Sequence, residues 1–120
     1  MIRLESHIGL IEISQEYFND IIGNAVTSCF GVAGMGNTDA RQGLRSALRQ
    51  KQQFLDQGVR VYKDGQGLLV DLHIIVTYGL NISAIVRSIV NKVRYTVEEA
   101  TGLDVKKINV FVDGMLREEN

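Results

Sequence analysis

The stretch Leu68–Asn81, LLVDLHIIVTYGLN, decides the fold. Its even positions Leu68, Val70, Leu72, Ile74, Val76 and Tyr78 are all apolar or aromatic. The odd positions Leu69, Asp71, His73, Ile75 and Thr77 are mixed. Side chains alternate across a strand, so this is a central strand with one core face and one partly covered face. Gly79 breaks it and Asn81 caps the longest helix, roughly Ile82–Thr101. Ile82, Ile85, Val86, Ile89, Val90, Val93, Val97 and Ala100 recur at helical spacing as its buried stripe, and Gly102 closes it. Val105–Asp113 is the last strand, with Ile108, Val110 and Val112 inward and Lys107, Asn109, Phe111 and Asp113 outward.

Upstream, Asp64-Gly65-Gln66-Gly67 reads as a hairpin turn joining Val59–Lys63 to the central strand. His7–Ile13 reads as a short strand, and Ser14 caps a helix whose stripe is Phe18, Ile21, Ile22, Ala25, Val26 and Cys29. Gly31–Gly36 (GVAGMG) reads as a bend, and Ala40–Leu55 as a looser helix bearing Arg41, Arg45, Arg49 and Lys51. Residues 1–6 and 114–120 read as polar tails. The order of elements predicts an α+β fold. It is a two-layer sandwich of the ferredoxin-like, split βαβ kind, with an extra basic helix between the first long helix and the second strand. Right-handed crossovers would then bring the first and last strands beside the central one, within a single domain over 1–120 whose core runs from about 8 to 113.

Composition excludes several functions. The 120 residues are 45% apolar and 22% charged, which suits one globular domain. A net charge of −1 provides no global attraction for nucleic acid or anionic membrane, so any such binding needs a local patch. A single cysteine cannot form an internal disulfide. No apolar run approaches the ~20 residues of a membrane span, and MIRLESHIG lacks the apolar core of a signal peptide. The chain is expected in the cytoplasm, reaching a membrane only through a partner or its surface.

Catalysis has no foothold. Cys29 lies on an apolar stripe with no His or acid at fixed local spacing and reads as a small buried hydrophobe. His7 and His73 share no metal-ligand spacing, and no cofactor is expected. The run Gly31–Gly36 follows a helix and lacks a Lys-Ser/Thr pair, so neither dinucleotide nor P-loop geometry is met. Its GxxG match to the backbone clamp of KH domains carries apolar Val32 and Ala33 in the middle, and a turn is the preferred reading.

Two surfaces remain. Arg41, Arg45 and Arg49 stack on one helical face with Lys51 nearby, either as a solvated face or as an anion-binding site. On the outer sheet face, Leu10, Tyr62, Leu69, His73, Ile75 and Phe111 should gather as an apolar contact surface. Ile75→Lys is expected to leave the fold intact and lower the oligomeric state.

GLIEIS (9–14), CFGVAGM (29–35) and GVRVYKD (58–64) carry a family resemblance. So do DLHIIVTYGLNISAIVRSIVNKVRYTVEEATGL (71–103) and VKKINVFVDGM (105–115). In this order they resemble the alkaline shock protein family of Gram-positive bacteria, especially its YloU-like branch. The resemblance implies a non-enzymatic, stress-associated scaffold or accessory protein of cell-envelope homeostasis. It further implies a homo-oligomer partnered by a membrane-anchor protein or a fatty-acid kinase, the latter hinting at a regulatory subunit in phospholipid metabolism. Many relatives place a proline just after the Asn-Ile pair, where Ser83 stands here; a helix start accepts either. No site residue is carried over. A nucleic-acid module using the basic helix is the alternative.

Overall fold

A computed structural model describes residues 1–36 and 58–117. The described elements are β1 (Ile2–Ser6), β2 (Gly9–Ile13), α1 (Gln15–Thr27), β3 (Val32–Met35), β4 (Val59–Asp64), β5 (Gly67–Thr77), α2 (Ile82–Thr101) and β6 (Val105–Leu116). The basic helix expected over Ala40–Leu55, with Arg41, Arg45, Arg49 and Lys51, lies outside the described residues.

The fold is α+β, a two-layer sandwich as the sequence predicts, and β5 is its centre. β6 runs parallel to β5 along one edge, from Leu68↔Val105 to Thr77↔Leu116. The other edge is shared. β4 pairs antiparallel with the first half of β5, from Asp64↔Gly67 to Val59↔Leu72, and β3 pairs with the second half at Ile74–Val76. The two meet at His73: Gly36 N–H donates to His73 O at 2.7 Å, and His73 N–H donates to Gly58 O at 2.8 Å. β3 and β4 thus act as one strand, interrupted where the chain departs at Gly36 and returns at Gly58.

The inner face of the sheet holds the core. Leu68, Val70, Leu72 and Ile74 are fully buried, against Phe18, Ile22 and Val26 of α1 and Ile89, Val93 and Val97 of α2. Burying each large side chain contributes about 1.5–3 kcal/mol before entropy is deducted. Both helix starts follow from local chemistry. Ser14 Oγ accepts from Tyr17 N at 3.1 Å, and Asn81 Oδ1 accepts from Ala84 N at 3.1 Å, each satisfying a first-turn donor that no carbonyl can reach. Gly102, at φ 73°, ends α2 as the left-handed residue expected there.

Four expectations need correction. The first strand does not flank β5: β2 pairs with β1 in a separate antiparallel hairpin, from Ile2↔Ile13 to Ser6↔Gly9, with His7 in its turn. Residues 1–6 are therefore strand rather than tail, and Ile2 is buried in the core. The C-terminal strand continues beyond Asp113 to Leu116, across a register shift between Val112 and Gly114. The glycine-rich Gly31–Gly36 is not a simple bend, because β5 offers Val32–Met35 an open edge to pair with; tertiary context outweighs local preference.

Candidate functional site

The outer face of the sheet is built in rows across three strands. Tyr62, Leu69 and Lys107 form the first row, and Arg60, Asp71 and Asn109 the second. His73 and Phe111 form the third; Ile75 stands between Gly34 and Gly114 in the fourth. Alternation puts all of these opposite the core, and both described helices lie on the other side. Along β5 the result is a strict buried/half-buried alternation from Leu68 to Thr77.

The acids on this face are bonded within it, and the basic Arg60 and Lys107 stand in the same rows. Asn109 Nδ2 donates to Asp71 Oδ1 at 2.9 Å. His73 Nδ1 lies 2.9 Å from Asp113 Oδ2, and its ring stacks on Phe111 with centroids 4.8 Å apart and planes 17° from parallel. Asp113 reaches His73 because it sits in the register shift of β6, where a bulge re-aims one side chain. Gly36 lies directly beneath: a Cβ there would come within 2.7 Å of Asp113 Oδ2. Beside the exposed Arg60 and Lys107, the surface is aromatic, with Tyr62 47% and Phe111 45% exposed.

Of the six residues expected to gather here, five do: Tyr62, Leu69, His73, Ile75 and Phe111. Leu10 does not. It pairs with Glu5 in the N-terminal hairpin, which no strand pairing joins to this sheet. Strand parity marks Asp113 and Asn109 only as outward-facing; their bonds to His73 and Asp71 need the cross-strand register, which one sequence does not contain. Cys29 is buried, with Sγ 3.4 Å from Ala25 O, in keeping with a packing role. Among the described residues no group of three or more His, Cys, Asp or Glu side chains is placed to hold a metal. A cavity of about 500 Å³ lies at the turn end of β4 and β5, where Lys63 and Lys106 are offset by Glu5 and Asp104, leaving no preference for an anion.

Comparison with known proteins matches residues 3–117 to the alkaline shock protein 23 family, which is described as having a cell envelope-related function. The chain belongs to that family. Uncharacterized protein YloU of Bacillus subtilis (strain 168) is 36% identical over 115 residues, covering 95% of this chain and 94% of YloU. Uncharacterized protein Spy1614 of Streptococcus pyogenes serotype M6 is 29% identical over 114 residues, covering 95% of this chain and 93% of its own. The alkaline-shock, YloU-like kinship read from the sequence therefore holds across the whole described fold. Among solved structures, MamM-CTD variants superpose at TM-scores of 0.48 and 0.47 with 16% identity, over 88% and 87% of this chain and 100% and 99% of theirs. As a member of the alkaline shock family the chain has a role related to the cell envelope, and no helix among its described residues is long and apolar enough to cross a membrane.

Proposed function

We propose that this alkaline shock family protein is a non-enzymatic scaffold or accessory protein of cell-envelope homeostasis, acting through self-association and protein-partner binding at the outer sheet face. One observation carries the reading: no described element covers that face, while its acids are already bonded to neighbours in the sheet. A surface that is largely apolar and aromatic, with its acids bonded to neighbours, suits contact with protein. Ile75, standing between two glycines, is its protruding residue. Burying what remains exposed of it would contribute on the order of 1 kcal/mol to a contact.

The test is Ile75→Lys. The lysine stem can lie along the sheet, so the fold survives with a change of about 1 kcal/mol or less. Native mass should fall and proteins captured with the wild-type chain should be lost. Unchanged mass and unchanged capture would refute the reading. Nucleic-acid binding has lost part of its basis, because Gly31–Gly34 of the GxxG runs into β3 and is bonded to β5: Thr77 N–H donates to Gly31 O at 2.8 Å. A membrane-anchor protein or a fatty-acid kinase remains the partner class that the family resemblance suggests.

A further inference from the structure

The helix layer, on the opposite side of the sandwich from the outer sheet face, is divided by charge. In α2, Arg87, Lys92 and Arg94 come before any acid, and Glu98 and Glu99 stand near its end. In α1, Glu16 and Asp20 lie in the first half, and residues 21–36 carry no charge of either sign. The two acid-free halves lie at the same end of the sheet. Thr77 N–H, at the close of β5, donates to Gly31 O at 2.8 Å, and a Cβ at Gly31 would come within 2.6 Å of Ile85 Cδ1. Lys92 Nζ donates to Ser28 Oγ at 2.7 Å, so a neutral hydroxyl ties the helices together and leaves the ammonium charge in place. Among the described residues no carboxylate stands within ion-pair distance of Arg87 or Lys92.

Between these levels α2 presents a shallow depression of about 560 Å³, lined by Ala84, Arg87, Ser88, Asn91, Lys92 and Tyr95. Two cations, a hydroxyl and a carboxamide can all donate to the oxygens of an anion, and no acid lines the depression. Beside it stand two rings that the core does not use: Tyr95 is 67% exposed and Phe30 81%. Phe30 lies between Ser28, which touches Lys92, and Gly31, which packs on Ile85, so its backbone runs along this flank of α2. From these observations, we infer that the acid-free half of the helix layer docks on an anionic lipid surface. Arg87 and Lys92 meet headgroup phosphates, and Phe30 and Tyr95 enter the interface. The mixture of groups selects this occupant. Cations draw a protein to anionic headgroups, and exposed rings settle at headgroup level with their apolar part below it. A nucleic-acid duplex would use the cations but gives the Phe30 ring no apolar phase to enter. A net charge of −1 permits such binding only through a segregated patch, and this is one. The contact is separate from the protein-binding face proposed above, which points away from the lipid and stays free.

The experiment is vesicle co-sedimentation with the full chain, using phosphatidylcholine alone and phosphatidylcholine with phosphatidylglycerol in equal parts. The chain should bind the phosphatidylglycerol vesicles, with affinity falling as salt rises, and leave the neutral ones. Arg87→Gln with Lys92→Gln should weaken binding about fivefold for each cation removed, on the order of 25-fold together, whereas Arg87→Lys with Lys92→Arg should retain it. Phe30→Ser should weaken it about tenfold or more at unchanged charge. All these side chains are exposed, so circular dichroism and the unfolding midpoint should match the parent. Ile75→Lys should bind vesicles like the parent, which separates this contact from the outer-face reading. No binding to phosphatidylglycerol vesicles, equal binding to neutral ones, or binding that survives the double glutamine variant would overturn the inference. So would vesicle binding indifferent to Phe30→Ser, or tighter binding to a DNA duplex that the same double variant abolishes, which would make the patch a nucleic-acid site.

Discussion

Gly58→Ala tests the junction beneath His73. A Cβ at position 58 would lie 2.6 Å from Gly36 O, 2.6 Å from His73 O and 3.0 Å from Met35 Cε. Comfortable carbon–oxygen contacts begin near ~3.3 Å, so each oxygen would have to move by about 0.7 Å. Both belong to backbone, and His73 O accepts the 2.7 Å bond from Gly36 that holds β3 in line with β4. A shift of that size takes the bond beyond good geometry, at a net cost of about 1 kcal/mol. Overpacking against Met35, itself fully buried, adds about 1–3 kcal/mol. The sum, about 2–4 kcal/mol, is a large fraction of the ~5–15 kcal/mol that stabilises a typical domain.

Two other glycines calibrate this expectation. At Gly36 the nearest atom to a new Cβ is Asp113 Oδ2 at 2.7 Å, the end of a side chain that can swing away. Gly36→Ala should therefore cost less, about 1 kcal/mol, while releasing His73 from Asp113. At Gly114 nothing lies within 4 Å and φ is not positive, so Gly114→Ala should be neutral or stabilising by up to about 1 kcal/mol. Denaturant unfolding of the three variants and the parent, followed by circular dichroism, gives the order directly. Gly58→Ala unfolding at the parental midpoint, or less affected than Gly36→Ala, would refute the composite-strand junction.

Further outcomes follow from the same geometry. Asn81→Ala removes the acceptor for Ala84 N–H and should cost about 0.5–2 kcal/mol, whereas Asn81→Asp should restore most of it, as thermal unfolding would show. Ile89→Ala, at a fully buried site between helix and sheet, should cost about 2–5 kcal/mol in denaturant unfolding. Partner binding at the outer face should change only modestly as salt rises, because its apolar and aromatic residues carry the contact. A steep loss of affinity with salt would instead favour a phosphate-bearing ligand.

How much of the fold is legible in the sequence depends on the strength of periodicity. β5 and α2 read with near-final boundaries because eleven alternating residues and a twenty-residue stripe leave little ambiguity. The N-terminal hairpin escapes such a reading because only Ile2 and Leu4 alternate within IRLES, and its turn, His7-Ile8, lacks the Asn-Gly or Asp-Gly signal. β3 escapes it because VAGM has weak strand preference and forms only where β5 leaves an edge vacant. The junction at His73 is beyond reach, since nothing local says that Gly36 and Gly58 meet. A glycine at each side of it, where an added Cβ would meet backbone oxygens at 2.6 Å (Gly58) or the Asp113 side chain at 2.7 Å (Gly36), is the one available hint. Five of the six candidate contact residues fall into place because they depend on strand parity alone; Leu10 fails because it depends on which sheet its strand joins.

That failure bears on function. The first strand expected beside β5 would have taken the edge that β3 and β4 share. β1 pairs with β2 instead, and among the described residues β6 pairs with β5 alone. Placing β1 and β2 apart carries Leu10 away from the contact face. The bulge at Asp113 turns its carboxylate across the sheet, so that both oxygens stand against His73 Nδ1, at 2.9 and 3.2 Å. Asp113→Asn should accordingly loosen the His73–Phe111 stack, which the aromatic resonances of Phe111 would report; resonances unchanged from the parent would refute a positioning role for the carboxylate.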